Sequence, residues 1–172
     1  MTRKRPCWPT VFGAIAAFVA VDLLFAPSLD LRVEARETDN PSPVVTPVQI
    51  AVEGERDPLL IAAEVADTPA SRVRGLMGRE RLRPDQGMWF VFDRPAHRSF
   101  WMKNTPASLD ILFVDARCRV VRIVRSTVPE NETPIASGFP VPYVLEVAAG
   151  IADPVSVGDR VRTGPGWGCA SR

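Results

Sequence analysis

The sequence predicts a mainly β protein, namely a compact antiparallel β sandwich or barrel, jelly-roll-like, with one short α-helix. Short apolar runs recur along the chain and are separated by clusters of proline, glycine and aspartate, as short strands joined by turns are. One segment, after Asp67, combines a helix N-cap with a proline at the first helical position. Many short strands with a single helix are typical of an all-β sandwich or barrel.

Composition divides the 172 residues into four segments. Residues 1–26 have the pattern of a signal peptide or an N-terminal membrane anchor, and residues 27–47 are a proline-rich linker. Residues 48–165 form a single β domain, which is long enough to bury a hydrophobic core. Residues 166–172 form a tail.

The first segment predicts export. Basic residues precede an apolar run over residues 11–21, which is the order found in secretory signals. Asp22 would be costly near the centre of a bilayer, whereas Pro27 directly after Ala26 disfavours cleavage there. Cleaved signal and uncleaved anchor both stay open. We expect an exported protein that is periplasmic, or anchored in the inner membrane and facing the periplasm.

A helix is predicted from the N-cap Thr68, through Pro69, to about Met77. Val73 and Leu76 share one side of it with Met77, so this side should dock on the sheet. Gly75 lies within the predicted helix, where it is unfavourable unless another backbone passes closely or the helix ends near it.

The rest of the domain is read as strands and turns. The predicted strands are 48–52, 59–66, 88–92, 98–102, 109–115, 118–125, 143–148 and 160–163. Strands 109–115 and 118–125 form the clearest hairpin. Residues 128–142 hold four prolines and a glycine, which predicts a long loop that could lie over a site.

Residues 100–105, Phe-Trp-Met-Lys-Asn-Thr, are the most distinctive stretch of the chain. Lys103 is the only lysine after Lys4, although arginine is abundant. A lysine ammonium is a compact point charge, unlike the planar guanidinium of arginine. The composition therefore favours a role for a point charge at this position.

Several segments together carry a family resemblance. They are Arg-Gly-Leu-Met at 74–77, Gly-Met-Trp-Phe-Val-Phe at 87–92, residues 100–105, Leu-Asp-Ile-Leu-Phe-Val-Asp at 109–115, Val-Leu-Glu at 144–146 before Ala-Gly at 149–150, and Gly-Asp at 158–159. In this order the chain, from about Leu59 to about Gly164, resembles the domain-of-unknown-function 192 family of bacteria and archaea. It departs from the family pattern at 107–108 and 116–118. The resemblance implies a compact, mainly antiparallel β domain, often exported or membrane-tethered, and no established activity.

Several kinds of site are excluded by the residues present. His97 is the only histidine and the cysteines lack zinc spacing, so we predict no metal. No triad motif surrounds Ser99 or Cys118, and no phosphate-binding loop is found, so we predict no cofactor. The net charge of +1, with acids and bases interspersed, argues against nucleic-acid binding.

Two carboxylates, Asp110 and Glu146, lie within apolar strands, where each must face solvent or be held by a partner. In one interpretation, neighbouring polar side chains neutralise both acids and fix the turn of residues 100–105. In the other, the same groups line a pocket that has Trp101 as a flat apolar wall. The predicted ligand-binding residues are Trp101, Lys103, Asn104, Thr105, Asp110, Arg74 and Glu146.

Three functions follow from this set. The first is a non-catalytic envelope module that binds a small polar ligand, a glycan or an envelope protein. The second is an enzyme acting on envelope saccharide or another polar substrate, with Asp110 and Glu146 as acid and base, which requires both in one cleft. The third is a structural or assembly protein. The N-terminal segment, if uncleaved, would add contact with the membrane.

Cys118 and Cys169 are the two cysteines outside the leader. An even pair in an oxidising compartment allows a disulfide. The sequence favours the alternative of two free thiols, because one cysteine lies in a predicted turn and the other in a glycine-rich tail.

Overall fold

The computed structural model describes residues 47–55 and 57–170. The predicted leader, and all but the last residue of the linker, lie outside these ranges. Within them are one helix and seven strands: β1 (Val48–Glu53), β2 (Leu59–Ala66), α1 (Pro69–Arg74), β3 (Gln86–Phe100), β4 (Leu109–Val114), β5 (Val120–Val124), β6 (Ile135–Ala148) and β7 (Arg160–Thr163). No helix in this part of the chain has the length and apolar character needed to cross a membrane.

The strands form one curled sheet in the order β5-β4-β6-β3-β2-β1-β7. Its two edges meet at one end, where Arg119 pairs with Arg160 and the backbone N–H of Val161 donates to the carbonyl of Cys118 over 2.8 Å. The mainly β class with a single short helix is therefore confirmed, and its form is a partly closed barrel.

One pair of strands departs from the antiparallel expectation. β2 and β3 run parallel, with Val65 opposite Trp89. Parallel neighbours need a crossover connection rather than a tight turn. Here α1 and residues 75–85 supply it, so the helix lies against the sheet beside β2 and β3. This crossover places the helix next to the site described below.

Each face of the sheet buries its own apolar cluster. The inner cluster, inside the curl, includes Ile50, Ile61, Trp89, Leu112, Leu145 and Val161. The outer cluster, on the opposite face, includes Met88, Phe90, Ile111, Phe113 and Val144, with Leu76 and Met102 packed over it. Strand alternation explains the division, because neighbouring residues such as Trp89 and Phe90 point to opposite faces.

α1 is shorter than predicted. Thr68 is its N-cap, as predicted, and forms a reciprocal capping box with Ser71, but the helix ends at Arg74. Gly75 terminates it with φ of +47°, a conformation that glycine adopts without steric cost. The expectation that Val73 docks on the sheet is wrong, since 68% of its surface is exposed, whereas Leu76 is buried beyond the helix.

β3 and β6 are longer than predicted, and the expected loop over 128–142 is mostly strand. The prolines within β3 and β6 do not end these strands, because the pairing between the two strands is irregular near the prolines. Residues 92–95 of β3 lie opposite Pro142 alone, between the pairs Val91–Tyr143 and Ala96–Val141. Such bulges accommodate residues that cannot donate to the ladder. The paired extensions project beyond the barrel.

The C-terminal segment is attached to the barrel rather than free. Cys118 and Cys169 form a disulfide, with the Cα atoms 5.6 Å apart. The indole N–H of Trp89 donates to the carbonyl of Trp167 over 3.1 Å, and the Trp89 ring stacks on Tyr143 at 5.3 Å. Residues 167–169 thus cover one end of the inner cluster.

Removing this disulfide should lower stability. For a sequence separation of 51 residues, the chain-entropy argument gives about 4 kcal/mol, and disulfides typically contribute about 2 to 4 kcal/mol. We expect the double substitution Cys118→Ser and Cys169→Ser to lower the free energy of unfolding by this amount in urea titrations followed by tryptophan fluorescence. An unchanged unfolding midpoint would show that the covalent link adds nothing to the packing of residues 167–169.

Candidate functional site

A cleft of about 520 Å³ lies between α1 and the outer face of the sheet. Arg72, Val73 and Arg74 line it from the helix, and the backbone continues along it through residues 75–77. The extended part of β3, residues 97–100, forms the other side. The cleft exists because the helix stops at Gly75, so the chain between α1 and β3 covers only part of the outer cluster.

Four aromatic side chains from the described part of the chain line the cleft. Phe90 and Phe100 meet edge to face at 5.0 Å, and Phe92 and Trp101 also line the space. Trp101 is 46% exposed, while the next residue, Met102, is buried in the outer cluster. Neighbouring residues of an extended chain point to opposite sides, which agrees with this divergence. An accessible aromatic surface beside buried phenylalanines suits the apolar part of a ligand.

Glu146 provides the only carboxyl group among the described residues that line the cleft. It lies on β6 between Met88 of β3 and Ile111 of β4, and 4% of its surface is accessible. Burial raises the pKa of its carboxyl group from 4.5 to about 8. At neutral pH the group is therefore protonated and can donate a hydrogen bond.

No described residue supplies a hydrogen bond or an ion pair to the Glu146 carboxyl group. The ion pairs of the described part join Glu64 to Arg79, Asp85 to Arg83, Glu132 to Lys103, Asp153 to Arg125 and Glu53 to Arg162. A buried polar group normally has a partner, because leaving it without one is costly. Glu146 instead faces the open cleft, and its carboxyl group is reached from there, since no fully buried side-chain polar atom of the described part lacks a partner.

Two guanidinium groups flank Phe92 at the cleft. Arg98 lies 3.9 Å from the centre of the ring and Arg72 lies 4.9 Å from it. Arg72 donates to the carbonyls of Asp67 and Val91, at 2.6 and 2.8 Å, which fixes its position. Burial, followed by the like charges of Arg72 and Arg94, lowers the pKa of Arg98. The two cations are thus held close together at this wall.

Asp110, by contrast, is satisfied within the fold. Its buried carboxylate accepts hydrogen bonds from the backbone N–H groups of Ser126 at 2.8 Å, Gly150 at 2.8 Å and Ala152 at 3.0 Å. These bonds tie the β5–β6 and β6–β7 connections to β4. The Asp110 side chain therefore has a structural role, because it holds both connections against β4.

Asp110 and Glu146 point to opposite faces of the sheet. Asp110 is paired with Val147, which belongs to the inner cluster, and Glu146 is the next residue along β6. Neighbouring residues of a strand face opposite sides. The pairing of these two carboxylates as acid and base is therefore wrong, because they do not share a cleft.

Two further predicted residues, Lys103 and Asn104, also lie outside the cleft. Lys103 pairs with Glu132 at 3.3 Å and lies 5.4 Å from the centre of the Trp101 ring. Asn104 is exposed with φ of +51°, and its carbonyl accepts from the N–H of Gly78 at 2.7 Å. Neither residue lines the cleft or neutralises Asp110 or Glu146, contrary to the structural interpretation of the sequence.

Of the seven predicted ligand-binding residues, four line the cleft. They are Arg74, Trp101, Thr105 and Glu146. Sequence reasoning missed Phe92, Arg72 and Arg98 as parts of the site. The separation of Arg72 and Arg98 along the chain gives no local signal, since only the parallel pairing of β2 with β3 brings α1 to the bulged part of β3. Among the described residues, no cluster of histidine, cysteine, aspartate or glutamate could hold a metal ion.

Two solved structures are similar to this chain. One is a protein of unknown function from Novosphingobium aromaticivorans, with 35% identity over 71% of this chain and 89% of the other, and a TM-score of 0.68. The second is a protein from Sinorhizobium meliloti that is named as a candidate transcription regulator. It shares 35% identity over 70% of this chain and 96% of the other, with a TM-score of 0.66. No curated protein matches the chain significantly.

The family resemblance seen in the sequence is supported by a match to a whole-family sequence model. The model of DUF192, described as uncharacterized ACR, matches residues 48–163. The matched region contains all seven strands and α1 of the described part, and it contains the cleft as well. The chain therefore belongs to the domain-of-unknown-function 192 family.

Proposed function

We propose that this chain is a non-catalytic binding module that takes a small molecule with an apolar body into the cleft between α1 and the outer sheet face. The observation that supports this most is Glu146, whose carboxyl group has no partner among the described residues and lies at a cleft of about 520 Å³. That volume falls within the range of small-molecule sites. A bound molecule would give Glu146 the hydrogen-bond partner that the fold does not.

The energetic argument for a binding site is that a carboxyl group at this position lowers stability. Removing a polar group from water without giving it a protein partner costs roughly 1 to 3 kcal/mol. A fold under selection for stability alone would have an apolar residue in place of Glu146, as it has at Val144 on the same face of β6. Local departures from the best packing are expected where a site has a function.

The chemistry of the walls refines the expected ligand. A fully polar ligand fits poorly, because Phe92, Phe100 and Trp101 line the cleft opposite the helix. A molecule with an apolar body and a hydrogen-bond acceptor fits better. A non-catalytic role is favoured over the enzyme hypothesis because Asp110 lies on the other face of the sheet and cannot assist Glu146.

We further propose that the module is exported, with its N-terminal segment serving as a cleaved signal or as a membrane anchor. The basic start and apolar run of residues 1–26 support export. The disulfide between Cys118 and Cys169 agrees with an oxidising compartment. Fractionation of cells expressing the full chain with a C-terminal tag tests this. Recovery of the protein with its N-terminus intact in the cytosol would contradict export.

Binding can be tested with phenylnaphthylamine, a neutral dye that fluoresces in apolar sites. We expect saturable binding to the wild-type protein, and the substitution Trp101→Ala should weaken it about tenfold, since removal of a half-exposed aromatic wall loses on the order of 1.4 kcal/mol. Fluorescence titration measures the dissociation constant.

The matched control is Phe139→Ala. Phe139 is an exposed aromatic residue, 52% accessible, and it does not line the cleft. Its removal should leave dye binding unchanged. Equal losses in the two variants, or no saturable binding to the wild type, would contradict the proposed function. Lys103→Ala should have at most a small effect, because Lys103 contacts the cleft only through the Trp101 ring.

A further inference from the structure

We propose that the cleft selects anionic amphiphiles, in which an apolar body carries a single carboxylate or sulfonate group that the arginines at the cleft bind. This inference rests on the proposed function and names its ligand class. Three arginines line the cleft, Arg72 and Arg74 from α1 and Arg98 from β3. A guanidinium group suits carboxylate and sulfonate oxygens because its donors form a planar fork.

The charge around the cleft is one-sided. Among the described residues that line it, Arg72, Arg74 and Arg98 are cationic, and Glu146 is the one acid. Because Glu146 is protonated at neutral pH, it contributes no negative charge that would compete with a ligand. A cleft lined by charge of one sign with apolar walls concentrates ligands of the opposite sign.

The arginines at the cleft form no close ion pair with described residues, although Asp93 acts on Arg98 from a greater distance. None of the ion pairs within 4.0 Å in the described part includes Arg72, Arg74 or Arg98. Arg72 and Arg98 instead bond backbone carbonyls and flank the Phe92 ring, which leaves other N–H donors of each guanidinium group unused. Holding two like charges at one ring is unfavourable, and a bound anion would relieve their repulsion.

Arg74 has a different environment, which makes it the best residue to test. It is exposed, it lines the cleft, and its side chain forms no hydrogen bond or ion pair with other described residues. Its removal should therefore leave the fold intact. Its position at the end of α1, beside the apolar walls, lets it meet the head of a molecule whose body contacts Phe92 and Phe100.

The test is competition against bound phenylnaphthylamine by octanoate and octanol, which share a chain length and differ in the head group. Octanol is the more apolar of the two, so apolar contact alone would make it the stronger competitor. We expect octanoate to displace the dye at a concentration about tenfold lower than octanol does, because charge-assisted hydrogen bonds add to the apolar contact. The preference should shrink as salt concentration rises.

The variant Arg74→Glu should abolish the preference for octanoate, whereas the matched control Arg117→Glu should keep it. Arg117 is an exposed arginine in the β4–β5 turn, away from the cleft. If the dye binds but octanol displaces it at a concentration equal to or lower than octanoate does, the inference is overturned and the proposed function stands. The same holds if Arg74→Glu and Arg117→Glu behave alike. Failure of the dye itself to bind would instead overturn the proposed function.

Discussion

Replacing Asp110 by alanine is expected to lower the free energy of unfolding by roughly 5 kcal/mol, since hydrogen bonds to a charged group each contribute about 1.5 to 3 kcal/mol. The carboxylate accepts from the N–H groups of Ser126, Gly150 and Ala152 and is fully buried. Alanine would leave these donors without an acceptor in the interior. The loss should appear in urea titrations followed by tryptophan fluorescence.

The control for this substitution is Asp153→Ala. Asp153 is exposed, and its carboxylate lies 3.8 Å from the guanidinium group of Arg125. Exposed ion pairs contribute about 0 to 1 kcal/mol, so this variant should unfold almost as the wild type does. Asp110→Asn should also destabilise the fold, because its amide group would present N–H donors to backbone N–H donors. If Asp110→Ala kept its stability and lost only dye binding, the structural assignment of Asp110 would be wrong.

Stability is expected to fall as the pH rises from about 5 to about 8, and Glu146 should account for most of the fall. The pKa of Glu146 is raised from 4.5 to about 8 by burial. Between these values the folded protein keeps a proton that the unfolded chain releases, so raising the pH favours unfolding. The slope is at most about 1.4 kcal/mol per pH unit, which gives a loss of roughly 4 kcal/mol over this interval.

The matched variant is Glu146→Gln, which has nearly the same shape and does not titrate. Its stability should vary much less between about pH 5 and pH 8, and it should exceed that of the wild type at about pH 9. The unfolding free energy of both proteins is measured at several pH values. The difference between the two proteins at each pH isolates Glu146, because the contributions of all other titrating groups cancel. Parallel pH profiles for the two proteins would show that Glu146 is not held protonated by the fold.

These two acids show what could be predicted from the sequence and what could not. Both Asp110 and Glu146 lie between apolar residues, so each was expected either to face solvent or to be held by a partner. The sequence could not assign the partners. Asp110 finds its partners in loops far along the chain, and Glu146 has none among the described residues.

The local elements were predicted where local chemistry determines them. The N-cap at Thr68 and the hairpin of β4 and β5 depend on residues close in sequence, and both occur near the expected positions. The extended β6 was missed because its prolines indicated a loop. Those prolines are accommodated by bulges in the pairing with β3, which is a long-range interaction.

By itself, the sequence determined the mainly β class, the start of α1, the hairpin and the family, because these depend on local propensity, alternation and motif order. Only the tertiary structure decided that Asp110 bonds backbone N–H groups within the fold and that Glu146 faces the cleft. Alternation places neighbouring residues on opposite faces, but it does not say which strands lie beside them. The insertion of β6 between β3 and β4, and the crossover that brings α1 to β3, set the surroundings of Glu146 through contacts between distant residues.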